Sequence, residues 1–357
     1  MTVGVVMMFS ASFLEGKEVT SFLNKQLIWL VISGFAAFFC ARIDLGFLRK
    51  MALPAAAVCI FLLLFVLTED AVKGSRRWIN VFGMTLQPSE FSKIGIILAS
   101  AWWICCRRRY MHTFNRGLLV PILGLGVFAG LLIVEPDFGT TLLVSMVVFT
   151  LLYIGGARPS WLMGFVFSGA GLFALMLACN PNRKGRILAF LNPEIHAQDG
   201  AWQLVNAKCA FAAGGQWGTG LGNSIQKLSY LPEAHTDFIF PIIGEELGII
   251  ATTSILLLFV VIFICGLRIA DRAHDDFGRF TALGITLMIT FQAMINIAVV
   301  TGSVPTKGIA LPFISYGGSS LLVCSAMIGL LVNVGHTARS PKSKKKTALF
   351  KDKRRKA

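Results

Sequence analysis

The chain is poor in charge. Only 14% of its 357 residues are charged while 55% are hydrophobic, and the mean hydropathy is +0.71, which excludes a soluble globule of this length. The weak alternating pattern of a membrane barrel is missing too, which leaves helices as the spanning elements. Cysteine is sparse: eight residues with no CxxC and no Cys/His ligand spacing, so neither a disulfide framework nor a zinc site is implied. The glycines of GGQWGTGLGNS lack a GK[ST] ending and follow no strand, which removes support for P-loop nucleotide binding. The beginning has no basic region and no small-residue cleavage site before the next apolar run, so a cleavable signal peptide is not expected. No inverted repeat is visible.

What is present is a series of apolar runs, most of them close to the length that crosses roughly 30 Å of hydrocarbon as helix. Ten are found, at 2–14, 27–41, 51–67, 91–106, 118–134, 140–153, 161–179, 238–266, 281–300 and 320–334. They predict an all-α, polytopic membrane protein of ten transmembrane helices, whose short first run either lacks its usual beginning or enters obliquely. An even count puts both termini on one side. The basic tail, with SKKK and KDKRRK, and the short loops carrying Arg42, Arg49, Lys50 and Arg107 to Arg109 place that side in the cytoplasm. Residues 1–334 then form the membrane domain and 335–357 a basic cytoplasmic tail. The net charge of +15 resides mainly in this tail and in juxtamembrane loops, where it suits anionic membrane lipids rather than nucleic acid.

The polar chemistry collects outside. In loop 68–90, Arg76 and Arg77 precede the amphipathic Trp78, and paired guanidinium groups at headgroup depth suit bidentate bonds to phosphate, although headgroup anchoring would use the same residues. The following QPSEFSK begins a helix at Pro88 with Lys93 one turn inside. Glu90 stands three residues earlier, and VEPDFGT adds Glu135 and Asp137, so an ion network among these four is expected. The largest loop, 180–237 between helices 7 and 8, holds Arg183 and Arg186. It continues through an amphipathic segment at 201–213, expected to lie on the surface as a helix, and a glycine-rich turn. It ends in YLPEAHTDFIFPIIGEELG, which sets Glu233, His235 and Asp237 at the mouth of the eighth span and Glu245 and Glu246 about two turns in. Ionisable groups at such depth are costly and usually functional, against the plainer readings of a helix cap for Asp237 and an interfacial belt for the glutamates. The last external loop, TGSVPTKGIALPFISYGGSS, breaks any helix at membrane depth and offers Lys307, Ser315 and Tyr316 to a polar cavity or a re-entrant plug.

In order along the chain, SRRWI, QPSEFSK, PDFGT, RILAFLNP, GGQWGTGLGNS, LPEAHTDFIF, GEELG and PTKGIALPFISYGGSS resemble the SEDS family of FtsW, RodA and SpoVE proteins over nearly the full length. PTKG before LPFISYGG, together with LPEAHTDFIF, is more like the FtsW and SpoVE branch than RodA, and most like FtsW. The departures are the short first helix, EPDFGT for the usual QPDLGT, and Trp202 and Ala207 for the usual Tyr and Ser. Glu135 in that altered motif puts a second acid beside Asp137.

The resemblance implies ten transmembrane helices and a peptidoglycan glycosyltransferase that polymerises lipid II during cell division, with Asp237 as the catalytic residue. The residue types fit that assignment. A sugar hydroxyl attacking an anomeric carbon needs a base, and a departing lipid pyrophosphate is eased by positive charge, for which Arg76, Arg77, Arg183, Arg186 and Lys307 are candidates, Arg77 and Lys307 foremost. His235 could orient Asp237, while Lys93, Asp137, Glu245, Glu246 and Ser315 are further substrate-side candidates. A divalent cation, Mg2+ or Mn2+, could bridge Asp237, Glu245 or Glu246 and pyrophosphate oxygens, and no organic cofactor is expected. The resemblance also implies a single-pass class B penicillin-binding transpeptidase and other division proteins as partners, in the inner membrane at the septum. A lipid II flippase or a non-catalytic division scaffold are the alternatives, and a soluble-type glycosidase would not call for ten spans.

Overall fold

The structure is a computed structural model and describes residues 4–7, 10, 19–70, 75–81, 84–178, 185, 188, 190–191, 193, 195, 201–227, 231 and 235–339. Nine of the ten apolar runs lie in helices: α1 (Val19–Cys40), α2 (Leu45–Val66), α3 (Pro88–Arg107), α4 (Leu119–Val134), α5 (Phe138–Ile154), α6 (Pro159–Ala178), α8 (Ile239–Arg272), α9 (Asp276–Val300) and α10 (Gly318–Arg339). The first run is helical at its described residues 4–7 and 10, and α7 (Trp202–Gly214) is the amphipathic segment of the large loop. Among the described residues, five segments are long and apolar enough to cross a membrane, namely Leu45–Val66, Phe114–Val134, Ile239–Arg272, Asp276–Val300 and Gly318–Ala338. Asn24–Cys40 and Phe138–Ile154 are shorter apolar helices. Phe35, Phe61, Phe167 and Leu258 project outward, as side chains facing hydrocarbon do. The apolar window of α9 is 67% buried against 28% for α2, so α9 is packed by protein and α2 largely by lipid.

Local chemistry sets the helix starts. Asp44 accepts a hydrogen bond from Phe47 N at 3.0 Å and caps α2, Asp137 accepts from Thr140 N at 3.1 Å and caps α5, and Pro88 opens α3 where its missing N–H costs nothing. The one departure from all-helical structure among the described residues is an antiparallel pair in the first external loop, β1 (Ile79–Val81) with β2 (Met84–Leu86). Alternating apolar and polar residues in INV and MTL account for it.

The chain divides into two compact units. One comprises Met1–Val31, Ser160–Val260 and Thr290–Leu321. There α7 lies against the first turns of α8 at backbone contact: a methyl on Gly214 would stand 1.9 Å from Gly244 O. The amphipathic helix is therefore wedged against protein, with Leu204, Ala207 and Ala210 buried, rather than resting on a surface. The other unit comprises Ile32–Pro159, Val261–Ile289 and Leu322–Ala357. In it α2 packs on α3, and Asn333 of α10 donates through Nδ2 to the carbonyls of Cys40 and Ile43, satisfying the otherwise open end of α1.

The eighth span needs a correction. Gly248 takes φ 75°, a value that side chains rarely adopt, and breaks α8. The turns carrying Glu245 and Glu246 are thus a short segment ahead of the break, not the interior of one long span.

Candidate active site

Asp237 closes a turn at 235–238, immediately before α8, and is partly exposed. Its carboxylate lies over the last external loop: a methyl added to Gly308 would stand 2.6 Å from Asp237 Oδ2. Lys307 is the neighbour of that glycine, half-buried, and burial pulls its ammonium below the ordinary lysine value. The loop is tied to the turn at both ends. Tyr316 N donates to His235 O at 2.9 Å with the two rings edge to face at 6.2 Å, and Asn296 Nδ2 donates to Asp237 O at 2.9 Å and to Ile309 O at 2.6 Å. One turn earlier on α9, Gln292 Nε2 donates to Ala310 O at 2.8 Å. Ser315 is buried and accepts from Leu311 N at 2.7 Å, which commits its hydroxyl to the shape of the loop. The turn bearing Asp237 and His235 is thereby held against the loop bearing Lys307 and Tyr316.

Glu245 and Glu246, eight and nine residues further on, are buried and already bonded. Glu245 accepts from Ser224 Oγ, from Ile225 N at 2.9 Å and from Gln226 N at 3.4 Å. Glu246 accepts from Ser10 Oγ at 2.7 Å and pairs with Lys227 Nζ at 2.8 Å. Lys227 Nζ also donates to Gly222 O at 2.7 Å and Ser10 O at 3.1 Å, and its side chain is 1% exposed. These acids fold the segment that follows the glycine-rich turn.

In the other unit the expected ion network exists in part. Lys93 pairs with Glu90 at 2.7 Å and both are buried. Asp137 is spent on its cap, and the Glu135 carboxylate has no hydrogen-bond partner. Burial pushes its pKa up to about 8, Asp137 adding to the rise and Arg77 opposing it. Arg77 donates through Nε to Glu135 O at 2.8 Å and through Nη2 to Pro136 O at 2.7 Å, so its guanidinium staples the first external loop to the turn before α5. Arg76 is exposed and donates to Leu67 O at 2.8 Å. Arg183, Arg186, Glu233 and the tail from residue 340 lie outside the described residues.

With this arrangement established, comparison with known proteins decides the family. The model for the FtsW, RodA and SpoVE cell cycle proteins matches residues 1–340. The chain belongs to that family. Among its members, the probable peptidoglycan glycosyltransferase FtsW of Trichlorobacter lovleyi is 41% identical over 93% of this chain and 89% of its own. Stage V sporulation protein E of Bacillus subtilis is 40% identical over 95% and 94%. A chain of a peptidoglycan synthase complex that coordinates polymerization and crosslinking superposes with a TM-score of 0.78 at 24% identity, covering 95% of this chain and 96% of that one, and so shares the fold. Family membership and the apolar helices together make this a multi-pass bacterial membrane protein.

A divalent cation shared between the carboxylate of Asp237, Glu245 or Glu246 and pyrophosphate oxygens would take most of its ligands from the substrate. Glu245 and Glu246 are bonded as described, and the described residues hold no group of three His, Cys, Asp or Glu side chains able to bind a metal. Asn296 and Gln292 are the residues that sequence reasoning misses. Two amides four residues apart in an apolar helix are the signal that could have found them, since neither is at ease in hydrocarbon without partners.

Proposed function

We propose that the chain is a peptidoglycan glycosyltransferase that polymerises lipid II, with Asp237 as the general base. The observation carrying this reading is the placement of the Asp237 carboxylate over Gly308, beside Lys307. A sugar hydroxyl brought to that carboxylate loses its proton to Asp237 as its oxygen bonds the anomeric carbon of the second substrate, and the bond from that carbon to pyrophosphate breaks. Lys307, half-buried and next to Gly308, would meet the charge that develops on the departing pyrophosphate, where partial desolvation strengthens the interaction. Arg77 contributes by fixing the first external loop, and Arg76, exposed, remains a phosphate candidate. His235, held through its carbonyl, shapes the turn. Of the acids offered to Mg2+ or Mn2+, Asp237 is the one that is partly exposed, and no step is routed through a cation. Chelation followed by add-back of either ion measures the requirement.

The relatives' names support the division branch of the family, and with it the inner membrane, the septum and a class B transpeptidase partner. Purified protein supplied with lipid II should make glycan polymer, and Asp237→Ala should abolish it in protein that still folds. Lipid II translocation across vesicles without polymer would point to a flippase, and binding of division proteins with neither activity to a scaffold. Imaging a tagged copy in dividing cells tests the septal assignment.

A further inference from the structure

One side-chain nitrogen touches both sides of the Asp237 site. Asn296 Nδ2 donates to the carbonyl of Asp237 and to that of Ile309, the residue after Gly308, so the turn bearing the carboxylate and the loop bearing Lys307 are joined at a single atom. The direction of this amide is forced, because two carbonyls can be met only by the NH2 end. Its other end, in a residue 2% exposed, accepts from no described protein group. Gln292 holds the next carbonyl, Ala310, but that bond does not reach the Asp237 turn.

We infer that Asn296 is a positioning residue for the glycosyl transfer, setting the distance between the Asp237 carboxylate and the Lys307–Gly308 loop. This rests on the reading of Asp237 as the base. Asn296 itself touches no reacting atom. Its effect passes through two main-chain carbonyls to groups that must be placed within a fraction of an ångström. The consequence is specific: loosening the clamp lowers turnover while leaving the affinity for lipid II, which is bound by a larger surface, nearly as it was.

The test uses the purified full-length protein and lipid II. Asn296→Ala should lower kcat by about 10- to 100-fold with KM within about twofold, in the range a small misplacement produces. Asn296→Asp keeps the shape of the side chain but turns an acceptor toward two carbonyls, and should lose at least as much, which secures the result if the alanine variant folds poorly. Gly308→Ala disturbs the same distance from the other side. If both act on it, the double variant Asn296→Ala/Gly308→Ala is about as impaired as the worse single variant, not the product of the two. Wild-type kcat in Asn296→Ala, a rise in KM at constant kcat, or multiplicative losses in the double variant would overturn the inference. Asp237→Ala run alongside separates the two claims. Full activity in that variant removes the base itself, whereas a dead Asp237→Ala beside a normal Asn296→Ala removes only the clamp.

Discussion

Asp237 and the pair Glu245–Glu246 stand within ten residues of one another, yet the fold treats them in opposite ways. Asp237 is partly exposed, its main chain is held by Asn296, and its carboxylate lies against a glycine, the one residue whose lack of a side chain lets it come so close. The glutamates are buried to 1% and 0% exposure and bonded to a hydroxyl, backbone N–H groups and a buried lysine. An acid buried with its lone pairs filled by protein has no capacity left for a substrate proton, whereas an acid at a partly exposed position can be reached by one. Under the proposed mechanism the acids of one motif are divided between chemistry and architecture.

This contrast can be broken from either side. The largest effect is expected at Asp237: Asp237→Ala, and equally Asp237→Asn, should lower lipid II polymerisation by about 1,000-fold or more in protein that still folds. Lys227→Met should do the reverse. It strands Glu246 in a dry site, and removing one partner of a buried pair costs about 3–5 kcal/mol, so the melting temperature in detergent should fall sharply while kcat per folded molecule holds. Lys227→Met/Glu246→Leu should recover most of that loss. A turnover defect in this double variant at full stability would return Glu246 to the chemistry. Gly308→Ala comes third, with a roughly 10-fold loss of kcat at an unchanged melting temperature, because the added methyl displaces the end of one flexible side chain.

Much of this is legible in the amino-acid sequence. Hydropathy locates nine helices because a membrane span must be both long and apolar, and HTDF marks Asp237 because an acid at a helix mouth needs a reason. The break at Gly248 is not legible, since GEELG reads as helix in composition and the glycine's φ is set by packing: a methyl there would stand 2.3 Å from Gln216 O. Arg77 shows the same limit. A basic pair near the membrane suggests phosphate, whereas the bonds of Arg77 to two carbonyls 58 and 59 residues along the chain are not foreseeable, because backbone acceptors leave no trace in sequence. The clamp at Asn296 is visible as a polar residue and invisible as a function, because what it holds is again main chain.

The remaining comparison concerns a fourth acid, Glu135, which belongs to neither class: it is buried like the glutamates of α8 but, unlike them, its carboxylate has no hydrogen-bond partner. Its folded-state pKa is raised to about 8, chiefly by burial, from an ordinary value near 4.5. The folded protein therefore holds a proton that the unfolded chain releases, and stability falls as pH climbs from the unfolded value and levels off once it passes the folded one. Glu135→Gln removes the titration and keeps the shape. It should match the wild type near pH 4.5, gain a steadily larger advantage in melting temperature up to about pH 8, and hold that advantage above it. A constant difference across this range would mean that Glu135 is ionised in the folded state and that Arg77, two atoms of which already serve carbonyls, compensates the charge after all.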